Sequence, residues 1–392
     1  MSSGAPARSE APSGHRLAIR ELESRTPLDR AAVDAFLAEH SFPLVEGPSV
    51  TFVWHGEADA VHLRHWIYGL PATQAFHRIA ASDLWYLIVE LPSGSRVEYK
   101  LEIVRGPTRQ WIADPLNGQL ARDPFGANSV CQATGYEVPG WVAENPEARP
   151  GTLEEIPIRS RKLRRTVPVL LYYPARYRTQ RRYPLLIVHD GGDYLSYSSL
   201  KTVLDNLIHR LEIPGLVAAM IRPGDRLREY ADDPAHAGFL AEELVPELEK
   251  RLPLEGTRAG RCLMGASFGA VASLAAAWRY PETFGRLLLQ SGSFAFTDIG
   301  VHEGGPVLDP VVDFVNAFRD RPCAVAEKVF VSCGTYESLI YENRSLVPLL
   351  QSTGMEVRYV EARDGHNWEN WRDRLREGLS WLFPGPLWMV YE

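Results

Sequence analysis

Arg261-Cys262-Leu263-Met264-Gly265-Ala266-Ser267-Phe268-Gly269, continuing into the alanine-rich run Ala270–Trp278, is the stretch on which the fold turns. Its apolar opening is too short for a helix and reads as a buried strand. The run after Gly269 is made of strong helix formers and predicts a helix over Phe268–Tyr280. Between them stands Gly-x-Ser-x-Gly. A strand, a turn and a helix with this spacing force the serine into a tight, strained turn that exposes its hydroxyl. The two glycines let neighbouring backbone pass close by. Ser267 is therefore the candidate nucleophile.

Around this stretch the second half of the chain alternates apolar strands with amphipathic helices. Strands are expected at 155–160, 166–173, 185–189, 216–221, 261–264, 286–290, 328–333 and 356–361, and helices at 198–210, 238–251, 268–280, 342–353 and 368–382. Strand, helix, strand at such intervals makes a mainly parallel sheet covered on both faces. With the serine turn, this is an α/β-hydrolase fold.

The first half has a different period. Thr26-Pro27-Leu28-Asp29 reads as a helix start, with Thr as cap and Pro in the first turn. The helix should reach His40 and bury Val33, Phe36 and Leu37. Alternating β-branched and aromatic segments then follow at 50–55, 61–66, 84–91 and 96–104, as in a small antiparallel, immunoglobulin-like β-sandwich. Trp54, Trp66, Trp85 and Trp111 are expected in its core. The stretch 111–130 reads as turns, on Asp114-Pro115-Leu116-Asn117 and Asp123-Pro124-Phe125-Gly126. A Pro/Gly/Glu linker at 139–152 sets the expected division: a disordered tail over 1–16, a helix-plus-sandwich domain over 17–145 and a catalytic domain over 146–392.

The 392 residues are 45% hydrophobic and 23% charged, enough for two packed cores. A net charge of −7 speaks against a nucleic-acid partner. No apolar run approaches the ~20 residues of a membrane span, and the Ser/Ala/Pro/Gly-rich start lacks the apolar core of a signal peptide. A cytoplasmic protein is the expectation. Cys131, Cys262, Cys323 and Cys333 show neither CxxC nor metal spacing and are expected as buried free thiols. The sequence leaves the oligomeric state open.

A serine hydroxyl needs a base. His366, in the loop Asp364-Gly365-His366-Asn367-Trp368 after the last strand, is the candidate. The acid that orients it belongs after the penultimate strand, where Glu337 leads; Asp364 and Asp298 are the alternatives. The oxyanion would be held by the amides of Phe268, directly after the serine, and Gly192, in His189-Asp190-Gly191-Gly192-Asp193. Arg222, Arg226 and Arg228 follow a strand on the same sheet edge. They either meet an anionic substrate, with Arg222 and Arg228 the candidates, or pair with Asp225 or Glu229. Trp368, with Trp371, shapes the pocket or packs the terminal helix. The run Arg159–Arg165 reads as an exposed hairpin tip. No metal or organic cofactor is called for. The implied chemistry is hydrolysis of a small-molecule ester; acyl transfer, or ligand binding on a hydrolase scaffold, are the rivals.

The chain resembles the enterochelin (ferric enterobactin) esterase family. The likeness rests on Ala113-Asp114-Pro115-Leu116-Asn117, Leu171-Tyr172-Tyr173-Pro174-Ala175-Arg176-Tyr177, His189-Asp190-Gly191-Gly192, Arg228-Glu229-Tyr230, Glu242-Glu243-Leu244-Val245-Pro246, Gly265–Gly269, Gln290-Ser291-Gly292-Ser293, Gly334-Thr335-Tyr336-Glu337 and Gly365–Trp371. It implies hydrolysis of cytoplasmic siderophore triesters, an N-terminal domain that helps to close over the substrate, and catalytic roles for Ser267, Glu337 and His366. Relatives acting on feruloyl or acetyl esters leave other acyl esters as alternative substrates. The double glycine Gly191-Gly192 departs from the family's usual single one.

Overall fold

The computed structural model describes residues 17–80, 82–297 and 305–386; the tail expected over 1–16 lies outside them. Helices Ala18–Glu23 and Arg30–Glu39 come first. The second begins three residues later than expected. Asp29, not Thr26, is its cap: the carboxylate accepts from the Ala32 amide at 2.9 Å and satisfies a donor of the first turn. Val33 and Phe36 are buried as the pattern requires, and Leu37 only partly.

Two antiparallel sheets follow. One orders its strands as Leu44–Glu46, Ser49–His55, Leu84–Glu90 and His77–Arg78. The other runs Thr73–Ala75, Ala60–His65, Arg96–Arg105, Gly126–Gln132 and Leu120–Asp123, with Thr108–Ile112 paired to Arg96–Arg105. The stretch expected as turns thus supplies three strands; its Asp-Pro and Asp-x-x-Gly punctuation marks the bends between them. Val50 and Phe52 of one sheet pack against Val61, Leu63, Tyr99 and Leu101 of the other, with the Phe52 ring edge-on to Tyr99 at 4.8 Å. Trp54 and Trp85 are in this core, but Trp66 and Trp111 are about half exposed. Trp111 lies on a peripheral strand and covers its ring with the Arg64 guanidinium instead, 4.3 Å away.

The third sheet has eight strands in the order Thr152–Ser160, Arg165–Tyr173, Val217–Ile221, Leu185–Val188, Arg261–Ala266, Arg286–Gln290, Lys328–Gly334 and Glu356–Ala362. The first two form an antiparallel hairpin; the other six are parallel. Because successive side chains point to opposite faces, Leu263, Leu287, Val329 and Val331 enter one core and Cys262, Met264, Leu288 and Phe330 the other. Helix Phe268–Arg279 fills the first core with Val271 and Leu274. Helices Leu200–His209 and Trp368–Leu382 cover the second with Leu204, Leu375 and Leu379. Each such buried leucine contributes about 1.5–3 kcal/mol.

The helices depart from expectation in places. Ala18–Glu23, Gly191–Tyr197, Arg226–Glu229 and Asp309–Asp320 are additional, and the expected helix over 238–251 is three joined segments, Pro234–Gly238, a π-helical Phe239–Leu244 and Val245–Arg251. The hairpin tip at 161–164 is a turn, but Glu243 satisfies it by accepting from Ser160 Oγ and the Arg161 and Lys162 amides. Cys131, Cys262 and Cys333 are buried, whereas Cys323 is exposed. Among the described residues no helix is long and apolar enough to cross a membrane.

Candidate active site

Six parallel strands place their carboxyl ends along one edge, and the loops leaving four neighbouring ones meet there. Ser267 follows Arg261–Ala266 with φ 57° and ψ −122°, a conformation that a side-chain-bearing residue holds only under strain. A Cβ on Gly265 would lie 2.4 Å from the Gly269 backbone, so the strand and the helix can approach only with glycine there. The turn is fixed by Ser267 N–H donating to Gln290 O (2.9 Å) and Ser293 N–H donating to Ser267 O (3.3 Å). The half-buried hydroxyl of Ser267 shares a hydrogen bond with Ser293 Oγ, 3.1 Å away.

Glu337 leaves the strand Lys328–Gly334 and is buried. Its Oε1 accepts from the Gly334 amide and from Ser291 Oγ, both at 2.6 Å, and its Oε2 lies 2.6 Å from His366 Nδ1. With Oε2 accepting the Nδ1 proton, the neutral ring keeps Nε2 as its lone-pair nitrogen. The Trp371 indole stands edge-on to His366, 5.0 Å between centroids, and its Nε1 donates to Ser291 Oγ at 2.9 Å. Trp371, Ser291, Glu337 and His366 thus close a ring of contacts. In this structure the Ser267 hydroxyl is bonded to Ser293 rather than to His366, so the serine–histidine contact needs a rotation of these side chains. His189 is no rival base: burial pushes its imidazole down to about 4, and it is packed on His236.

Asp364 serves elsewhere, paired with Arg96, and Asp298 lies outside the described residues. Phe268 is the first residue of its helix. Asp190 caps the helix Gly191–Tyr197 with φ 53°, and Gly191 and Gly192 occupy the first turn, where amides have no upstream carbonyl. The two glycines answer to different neighbours. A Cβ on Gly191 would strike Met220 at 2.2 Å, and one on Gly192 would meet the Arg222 guanidinium at 2.7 Å.

Of the three arginines, Arg226 forms a bidentate pair with the buried Asp190 carboxylate and so holds the kinked Asp190 turn. Arg222 and Arg228 are exposed, and among the described residues neither forms an ion pair. Glu229 pairs with Arg165 of the hairpin instead, and Asp225 caps the short helix Arg226–Glu229. Trp368 is half-buried, edge-on to Tyr194 (5.2 Å) and Trp371 (4.7 Å), which is the packing arrangement. Sequence reasoning missed Arg96, whose partners in the histidine loop lie some 270 residues away, and it quoted Ser291 and Ser293 as part of a motif without giving either a role.

Residues 160–382 match the family model "Esterase", described as "Putative esterase". The iron(III) enterobactin esterase of Escherichia coli K12 is 26% identical over 368 residues, spanning 84% of this chain and 90% of that protein. Among solved structures, the ferric enterobactin esterase of Salmonella typhimurium superposes with a TM-score of 0.70 at 22% identity, covering 85% of this chain and 93% of that one. The enterochelin esterase of Shigella flexneri gives 0.68 at 24% identity, covering 85% and 92%.

Proposed function

We propose, from the premise that this chain belongs to the esterase family and is an enterochelin esterase-like carboxylic ester hydrolase, that it cleaves ferric siderophore triesters through a serine acyl-enzyme. His366 Nε2 takes the Ser267 proton as Oγ attacks the ester carbonyl. The tetrahedral oxyanion is held by the Phe268 and Gly192 amides. Collapse expels the alcohol, which takes the proton back from His366. Water, deprotonated by the same ring, then releases the acid from Ser267 and restores the enzyme. Residues 17–145 and 146–392 are its two domains, the first shaped as an immunoglobulin-like sandwich.

The observation that carries the chemistry is the Glu337–His366 pair at 2.6 Å on the sheet edge that also carries the strained Ser267 turn. The siderophore is supported by what the relatives are called, and by Arg222, exposed beside Gly192, and the exposed Arg228 of the following helix, which suit a polyanionic substrate. The purified chain should therefore show a higher kcat/KM on an iron-loaded tricatecholate trilactone than on feruloyl or short acyl esters. Ser267→Ala should lose about 10⁶-fold in kcat. A preference for feruloyl esters would remove the siderophore; retained activity in Ser267→Ala would remove the acyl-enzyme.

A further inference from the structure

We propose that Arg96, which belongs to the second antiparallel sheet and not to the hydrolase sheet, is the positioning residue for His366, so that the docked sandwich completes the catalytic site. This rests on the serine-esterase reading above. Arg96 opens the strand Arg96–Arg105, and its side chain is 2% exposed. It grips the histidine loop from both sides of His366. Its amide donates to Arg363 O at 2.9 Å, its Nη1 to Asp364 Oδ1 at 3.3 Å and to Asn367 Oδ1 at 3.1 Å, and its Nη2 to Glu369. Those partners hold the rest of the loop. Asp364 Oδ1 accepts from the Gly365 amide and from Asn367 Nδ2, both at 2.7 Å, and Asn367 Oδ1 caps the terminal helix through the Asn370 amide at 2.8 Å.

Among the described residues the His366 side chain has one hydrogen bond, to Glu337, so its placement depends on the backbone that carries it. The same sheet reaches the acid's turn. The Tyr68 amide donates to Tyr336 O at 2.7 Å, and Ser95 is hydrogen bonded to the Tyr336 hydroxyl, one residue before Glu337. Base and acid are thus both steadied from outside the hydrolase sheet, whereas the Ser267 turn is bonded to Gln290 and Ser293 within it.

The charges explain why the guanidinium cannot be replaced by packing. Glu98, Asp364 and Glu369 converge on it; Asn128 Nδ2 holds the other oxygen of Glu98 at 2.8 Å. Tyr136, bonded to Asp373, and Arg372, paired with Asp373, complete the surroundings. Three carboxylates sharing one buried cation leave excess negative charge, and burial pushes Asp364 up to about 6 and Glu369 up to about 7. Without Arg96 the carboxylates beside His366 would ionise unpaired and the loop would relax toward water.

The test compares full-length wild type, Arg96→Met, Arg96→Lys and Asp364→Asn from pH 6 to 9 on one ester, with active sites counted by fluorophosphonate labelling carried to completion. Arg96→Met should lose about 100-fold in kcat per labelled site with KM changed less than about threefold, as for a misplaced catalytic group. The loss should deepen as pH rises beyond about 7, because Arg96 holds both carboxyls down and without it Asp364 and Glu369 ionise above their wild-type values of about 6 and about 7. Arg96→Lys should recover about tenfold, and Asp364→Asn, which keeps the oxygen that accepts from Gly365, should lose about tenfold. A fall in the labelled fraction with kcat per site within about twofold of wild type at every pH would assign Arg96 a merely structural role and overturn the proposal. If Arg96→Met does not fold, an unchanged kcat in Asp364→Asn overturns it equally. A wild-type chain that the fluorophosphonate leaves unlabelled would overturn the serine reading as well, which separates the two failures.

Discussion

The serine turn and the histidine loop sit on the same sheet edge but are built in opposite ways. The turn is local: a strand, two glycines and a helix within residues 261–279 fix Ser267 at φ 57°, with hydrogen bonds to its own helix and to the next strand end. The loop is assembled from afar. His366 leans on Glu337, 29 residues away, and on Trp371, while its backbone is tied to Arg96, some 270 residues upstream. A nucleophile needs a strained backbone, which short-range sterics can impose. A base needs a ring held in one tautomer and one direction, and that takes partners on several sides.

Three changes test this contrast. Glu337→Gln keeps the shape but replaces the carboxylate at His366 Nδ1, and should lower kcat by about 10³–10⁴ with little change in KM, measured by steady-state kinetics. The histidine side would then have failed while fluorescence and Tm report an intact serine turn. Gly265→Ala attacks the local side. Its Cβ would stand 2.4 Å from the Gly269 backbone, so the strand–helix approach must open at a cost of about 3 kcal/mol, read as a lower midpoint in urea unfolding. A variant of wild-type stability would show that the turn is not set by its glycines.

Glu369→Gln is the mildest. The raised values of Asp364 and Glu369 mean that the folded chain holds protons which the unfolded chain releases near pH 4. Their contribution to stability is therefore full at low pH and lost as pH rises through 6 to 7. Removing the Glu369 charge should flatten the fall of Tm between pH 6 and 8 by a few degrees, corresponding to about 1 kcal/mol, and an unchanged slope would contradict the charge-crowding account.

The same contrast explains what could be read beforehand. All eight strands of the hydrolase sheet were visible, most of the six parallel ones as short apolar runs between turn residues and the hairpin pair by alternation, and the terminal helix Trp368–Leu382 has the expected bounds. The sandwich was less legible. Strands such as Leu120–Asp123 and Thr108–Ile112 are polar and largely exposed, so they carry no clear period, and their pairing with neighbours defines them. The helix Asp309–Asp320 escaped notice although Val311, Phe314, Val315 and Phe318 recur at helical spacing and are buried on it, so its signal was present in the sequence.

For the site, chain order and strand ends put forward Ser267, Glu337 and His366 as candidates, and the structure brings Glu337 and His366 into contact on the sheet edge that carries the Ser267 turn. The arginines could not be sorted that way. Arg226, Arg222 and Arg228 look alike in sequence, yet Arg226 is locked onto Asp190 while the other two face solvent. Arg96 gave no local sign at all, since it is simply the first residue of an alternating strand. By itself, then, the sequence determined the strained strand–turn–helix at Ser267 and the order of the parallel strands' loops, because both follow from local sterics and hydrophobic period. Only the tertiary structure decided which charges share a buried space, and hence that a residue of the second sheet holds the histidine loop, because electrostatic pairing depends on distance in space and not on distance along the chain.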